Sequence, residues 1–314
     1  MEIRVALAQI APHLGDVAAN LDLAAAKLSE AAADGAHLVV FPELALTGYL
    51  LSDLVPDVAM RSTDPRLGQL SRQAPNTLVA VGFVEETDDH RYTNSAALLR
   101  NGELLGVHRK VYLPTYGMFD EGRFTRTGDR IRTTDAGEPI GRIGLSICED
   151  FWHPSVPMIQ SHDGASLLVN LAAGPARAPG SVAGLTAIGG WHKMQETYAL
   201  LGTVPVAFCN RVGNEEGLTF WGGSRLIGAS GAVLAAAPLY EESLVIGTLD
   251  TDDLRMQRYQ LPILADERLE LTRRELDRII AERAGLPATP DDPAEPASGD
   301  DVTLPLPGEV AADL

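Results

Sequence analysis

The stretch Gly144-Leu145-Ser146-Ile147-Cys148-Glu149-Asp150-Phe151-Trp152 passes from an apolar, β-prone run into a polar turn at a cysteine. Ile140 to Ile147 therefore reads as a buried strand, with Cys148 at its carboxyl end, where open α/β sheets place their functional groups. Working outward, the same pattern recurs. Ile3 to Ile10 reads as a strand, Leu21 to Ala33 as a helix closed by Gly35, and Leu38-Val39-Val40-Phe41 as a second strand. Leu78 to Val84 continues the series. Asn94 to Leu99 and Glu103 to Val107 flank Asn101-Gly102, a strong hairpin signal. Leu167 to Leu171 and Val204 to Cys209 are further buried strands, with a helix expected over 184–201. Ser224 to Ile227, Val233 to Ala236 and Leu244 to Leu249 complete a strand-rich end. The mixture of β-α-β units and hairpins predicts an α/β protein with mixed sheet and helices on one face.

Charge narrows the class. The 314 residues carry 43 acids against 25 bases, a net charge of −18. That argues against a nucleic-acid or anionic-membrane surface, which needs basic patches. No apolar run approaches the ~20 residues of a membrane helix, and Met1 to Ala8 lacks the pattern of a signal peptide. Two cysteines rule out a disulfide scaffold and suit the cytoplasm. Residues 266–284 read as a helix with i,i+4 charge pairs. Beyond Gly285 the composition changes: 286–314 holds seven of the acids, many prolines and no Lys or Arg. The expected organisation is one domain over 1–285 and a disordered acidic tail over 286–314.

Three residues could carry chemistry. Cys148, a thiol beside a polar turn, suits a nucleophile, although free cysteines are commonly core residues. Glu43, held between Leu38-Val39-Val40-Phe41 and Leu44-Ala45-Leu46, suits a general base; read alone, a turn-capping carboxylate is the simpler account. Lys110, in Val107-His108-Arg109-Lys110-Val111-Tyr112-Leu113-Pro114, could stabilise a thiolate or an oxyanion, and equally reads as an edge lysine. Cys209 reads as a core thiol. His153, His162 and His192 lack metal-ligand spacing, and no metal or cofactor is expected.

Together these residues make a Glu, Lys and Cys set, each beside a strand end. Phe41-Pro42-Glu43-Leu44-Ala45-Leu46-Thr47-Gly48-Tyr49, His108 to Pro114 and Ile147 to Trp152 resemble, in the same order, three motifs of the carbon-nitrogen hydrolase (nitrilase) superfamily. Within it the chain is most similar to the glutaminase domain of glutamine-dependent NAD synthetase. Leu113-Pro114-Thr115-Tyr116-Gly117-Met118-Phe119-Asp120-Glu121, Cys148-Glu149-Asp150, Phe220-Trp221-Gly222-Gly223-Ser224 and Asp250-Thr251-Asp252-Asp253-Leu254 carry that likeness. The resemblance implies a single-domain α-β-β-α sandwich that assembles as dimers or higher homo-oligomers.

It also implies a mechanism. Glu43 takes the proton of Cys148, whose thiolate attacks an amide carbonyl. Lys110 and the backbone N–H of Glu149 hold the oxyanion. Glu43 then protonates the departing nitrogen, releasing ammonia, and activates water to hydrolyse the thioester. Glu121 matches an additional family glutamate and would orient Lys110 or the substrate. Tyr49, Tyr116 and Glu149 are the expected substrate-binding residues, Glu149 as acceptor for an α-ammonium, with Trp152 a further pocket residue. The implied substrate is a small linear carboxamide, glutamine-like. A nitrile or a carbamoyl amide fits the same set, and so does ammonia supply to a separate synthetase partner. Two departures bear on this. Asn170-Leu171-Ala172-Ala173-Gly174-Pro175 lacks the serines of the family's Asn-Leu-Ser-Ala-Ser-Pro-like run, which puts glutamine itself in question. No Ser-Gly-Gly-x-Asp-Ser pyrophosphate-binding loop is present, so NAD synthesis by this chain alone is not expected.

Overall fold

Apolar runs become strands where the sequence predicts them, and their register sorts them into two sheets rather than one. The computed structural model describes residues 1–176 and 182–285, with the backbone alone over 182–187. The strands are β1 (Glu2–Gln9), β2 (Leu38–Val40), β3 (Leu78–Glu86), β4 (Tyr92–Arg100), β5 (Glu103–Arg109), β6 (Thr133–Asp135), β7 (Arg142–Ile147), β8 (Leu167–Ala172), β9 (Val206–Asn210), β10 (Val212–Glu215), β11 (Leu218–Trp221), β12 (Arg225–Ile227), β13 (Val233–Ala236) and β14 (Ser243–Asp250). One six-stranded sheet has the order β14-β1-β2-β3-β4-β5, the other β13-β12-β9-β8-β7-β6, and β10 and β11 form a separate ribbon.

Both sheets are mixed. β1, β2 and β3 run parallel, as do β7, β8 and β9. Antiparallel strands flank each parallel set. The central strands β2, β8 and β9 are buried along their whole length, as continuous apolar runs covered on both faces should be. The β4–β5 hairpin turns on Asn101 and Gly102, at φ +47° and +84°, the left-handed pair a two-residue turn requires.

Helices α1 (Val17–Ala33), α2 (Pro65–Arg72), α3 (Ser155–His162) and α4 (Val182–Leu201) cover the outer faces, and α5 (Thr251–Gln260) follows β14 with no buried residue. α1 begins four positions before the expected Leu21, because Asp16 accepts the Ala19 N–H at 3.0 Å and caps it there. α2 and α3 carry too few periodic apolar residues to stand out in the sequence.

The core has three layers of contact. Between the sheets, Val5, Leu7, Leu38, Val40 and Leu98 of one pack with Ile143, Leu145, Ile147, Val169 and Leu171 of the other. Outside the first sheet, Val39, Val79 and Val81 meet Leu28 of α1 and Leu67 and Leu70 of α2. Outside the second, Leu168, Val206, Phe208 and Ile227 meet Ile188, Trp191 and Ala199 of α4. This is the α-β-β-α sandwich. It occupies the unit Met1–Ala265, and a second unit begins at Asp266. The second unit holds α6 (Leu269–Arg283), where Arg278 pairs with Glu275 at 3.0 Å and Glu282 at 2.7 Å, the expected helical charge pattern. The tail read over 286–314 lies outside the described residues.

Candidate active site

Four strand ends converge on one point. Glu43 stands three residues past β2, Lys110 one past β5, Cys148 one past β7 and Ala173 one past β8. The first two come from one sheet and the last two from the other. Glu43 and Lys110 are fully buried. Lys110 Nζ donates to Glu43 Oε1 at 2.7 Å, and the Ala173 N–H donates to Glu43 Oε2 at 2.8 Å. Asn94 Nδ2 makes a further bond to Glu43 Oε1 at 2.7 Å. Glu121, at the head of the short turn Glu121–Phe124, accepts from Lys110 Nζ on both oxygens at 2.8 Å. The structure thus brings Glu43, Lys110 and Glu121 into one hydrogen-bonded group.

Cys148 is partly buried and sits in electrostatic contact with Glu43, Lys110 and Glu121. Its backbone φ is +44°, the left-handed region. For a residue with a side chain this costs of order 1–3 kcal/mol and turns the chain sharply from β7 into the Cys148–Trp152 turn. Burial, and then the charge of Glu43, push the thiol well above the usual range, while Lys110 opposes them. Burial disfavours the Lys110 ammonium too, but Glu121 and Glu43 outweigh it and hold its pKa well above normal. Burial and the Glu43 charge raise Glu121 against the pull of Lys110. The result is a neutral thiol beside a carboxylate and a fixed cation.

The expected substrate-binding residues divide. Tyr116 donates its hydroxyl to Glu149 Oε2 at 2.9 Å, and Glu149 is raised chiefly by burial. Tyr49 donates to Glu121 Oε1 at 2.5 Å, so its polar tip is turned to the Lys110 group. Trp152 is partly exposed and leans edge-on against Trp191, centroids 5.1 Å apart. Ala172 and Gly174, at the two serine positions of the family run, offer no hydroxyl, and Gly174 packs against the Trp221 indole, where a Cβ would lie 2.8 Å from Nε1.

With this geometry in view, comparison with known proteins decides the family. The carbon-nitrogen hydrolase family model matches residues 4–259. The chain belongs to the carbon-nitrogen hydrolase family. It is 36% identical over 260 residues to a glutamine-dependent NAD(+) synthetase of Thermotoga maritima, covering 80% of this chain and 42% of that protein. It is 28% identical over 276 residues to a chloroplastic omega-amidase of Arabidopsis thaliana, covering 80% of this chain and 69% of the relative. Among solved structures, a carbon-nitrogen hydrolase from Helicobacter pylori G27 superposes with a TM-score of 0.78 at 24% identity, over 88% of this chain and 99% of the other, and shares the fold. The chain spans less than half the length of the Thermotoga relative.

This carbon-nitrogen hydrolase also uses residues to which the sequence assigned no role. Asp150 locks the cysteine turn to the lysine strand. Its Oδ1 accepts the Val111 and Tyr112 N–H groups at 2.9 Å, and its Oδ2 accepts the Ile147 N–H at 3.0 Å and pairs with His108 Nε2 at 2.8 Å. Burial alone would raise Asp150, yet His108 and these N–H groups hold it below the usual carboxylate range. His108 and Asp150 both lie inside the motifs quoted above, and only the fold makes them neighbours. Gly82 on β3 lies under the Glu43 backbone, where a Cβ would meet Leu44 N at 2.5 Å and Pro42 O at 2.7 Å. An apolar cavity lies beside Tyr49 and Glu121, lined by Leu44, Leu51, Val84, Met118 and Phe124, with Asn94 at its margin. Among the described residues no His, Cys, Asp and Glu cluster could hold a metal ion, and no helix is long and apolar enough to cross a membrane.

Proposed function

We propose that this chain is a cysteine amidohydrolase that cleaves a small linear, glutamine-like carboxamide through a thioester and releases ammonia. The observation that carries the reading is the buried Glu43–Lys110–Glu121 group in electrostatic contact with Cys148. A thiol held neutral needs a base at hand when it attacks, and Glu43 supplies it. Lys110, fixed between two carboxylates, cannot leave to follow solvent and stands ready for the oxyanion, with the Glu149 N–H as second donor. Glu43 returns the proton to the leaving nitrogen. Glu149 and Tyr116 form the acceptor for a substrate ammonium.

Ammonia release from glutamine by the purified protein tests this, with Cys148→Ala as control. Release that disappears in the variant is the expected result. No release from glutamine, while asparagine-like or carbamoyl amides are cleaved, would move the substrate to a ligand that needs no hydroxyls at Ala172 and Gly174. Turnover of a nitrile but of no amide would overturn the amidase reading. A second reading, an ammonia-supplying subunit, is favoured by the Thermotoga synthetase relative, of which this chain spans 42%. It predicts activity that rises when a separate synthetase is added.

A further inference from the structure

Arg211 and Glu215 are an ion pair almost sealed from solvent, 1% and 6% exposed, at the start and end of β10 and its approach. They take no part in the chemistry above. A buried ion pair is seldom more stable than an apolar pair of the same size, so its other partners are what explain it. Glu215 Oε2 accepts from Arg211 Nη1 at 2.6 Å. Its Oε1 accepts the backbone N–H of Tyr49 at 2.8 Å and that of Leu50. The Arg211 guanidinium lies over the Phe220 ring at 4.1 Å, and Phe220 meets the Tyr49 ring edge-on at 5.8 Å. Tyr49 is thus held by its backbone and by its ring, while its hydroxyl holds Glu121 and Glu121 holds Lys110. Gly48, at φ +80°, leaves room for the clamp: a Cβ there would sit 3.1 Å from Glu215 Oε2 and 2.7 Å from Leu14 Cα. The same stretch serves Glu43. Asn210 Oδ1 accepts the Gly174 N–H at 2.7 Å, next to Ala173, which bonds Glu43.

We propose that the segment from Asn210 to Glu215 is a positioning element, in which the Arg211–Glu215 pair fixes Tyr49 and, through Tyr49 and Glu121, sets the place of Lys110 beside Cys148. The proposal rests on the reading of Glu43, Lys110 and Cys148 as the reacting set. Arg211 and Glu215 make no hydrogen bond to Glu43, Lys110 or Cys148; Arg211 reaches Glu43 only through its charge. A pair with a merely structural role would alter stability and leave the reactivity of Cys148 alone.

The test is the pH profile of Cys148 alkylation by iodoacetamide, followed by mass spectrometry of the Cys148 peptide, which needs no amide substrate. A well-placed Lys110 ammonium favours the thiolate, so loosening it moves the profile upward. Glu215→Gln should shift it by about half a pH unit, or about threefold slower alkylation at a fixed pH on the rising limb. Tyr49→Phe should shift it in the same direction, and the double variant no further than the larger single one, because both act through one chain of contacts. An unchanged profile in folded Glu215→Gln overturns the proposal, and so does a double-variant shift equal to the sum of the singles. If Glu215→Gln does not fold, Phe220→Leu removes the ring that Arg211 and Tyr49 share without stranding a charge; an upward shift supports the proposal and no shift overturns it. Lys110→Met separates the two levels of argument: a profile insensitive to it would sink the reacting set itself.

Discussion

At Cys148, strain and reactivity coincide. The left-handed backbone turns the chain off the end of β7, and burial raises the thiol well above its usual range; in the proposed mechanism Glu43 takes its proton. What keeps that turn in place is Asp150, whose carboxylate gathers three backbone N–H groups and His108. Asp150→Asn puts an amide N–H₂ against those donors and should destabilise the fold by about 2–4 kcal/mol at pH 7. The sign of its pH dependence follows from the depressed folded-state pKa. The stabilisation is full above the unfolded pKa of about 3.9 and is lost as pH falls through the lower folded value. Urea midpoints of the two proteins should therefore stand furthest apart near neutrality and converge below about pH 4. A gap that persists unchanged to pH 2 would contradict this account.

The elements place these residues by where strands stop and by what lies beneath them. β3 can pass under Glu43 only because Gly82 has no side chain. Gly82→Ala forces a methyl against backbone atoms that cannot swing aside, and overpacking of this kind typically costs about 1–3 kcal/mol. Turnover should fall further than that loss of stability explains, because the displaced backbone is that of Glu43, the proposed base. Denaturation by urea and kcat on the same preparation check both parts; a variant with wild-type kcat would show that Glu43 tolerates the shift. Much at this scale is legible in the sequence. Buried strands announce themselves as apolar runs, Asn101-Gly102 names its hairpin, and Glu43, Lys110 and Cys148 each stand just past such a run. The β10–β11 ribbon is not legible. Its strands are four residues each and include Asn214, Glu215 and Thr219, polar residues that make no apolar run. Glu215 is buried because its partners at Tyr49 and Leu50 lie far away in sequence, and no local pattern encodes that. Asn94 is hidden for a related reason: inside β4 it looks like any polar strand residue until strand pairing sets it beside Glu43.

The whole molecule matters because the proposed site belongs to neither sheet. Glu43 and Lys110 come from one and Cys148 and Ala173 from the other, so the reacting group exists only while the sandwich interior, with Leu7, Leu98, Leu145 and Val169, holds the sheets together. Loss of Cys148 reactivity toward a substrate and loss of far-UV circular dichroism should then share one urea midpoint. Activity that vanishes well ahead of the secondary structure would mean the sheets part first. The order of the first sheet has a consequence in time as well. β1, residues 2–9, pairs with β14, residues 243–250. On the ribosome, the earliest strand waits with one open edge until almost the entire sandwich has been made. Closure over so long a separation slows folding, and the waiting edge is a template for a neighbouring nascent chain. Refolding from urea should accordingly be slow and yield less native protein as concentration rises.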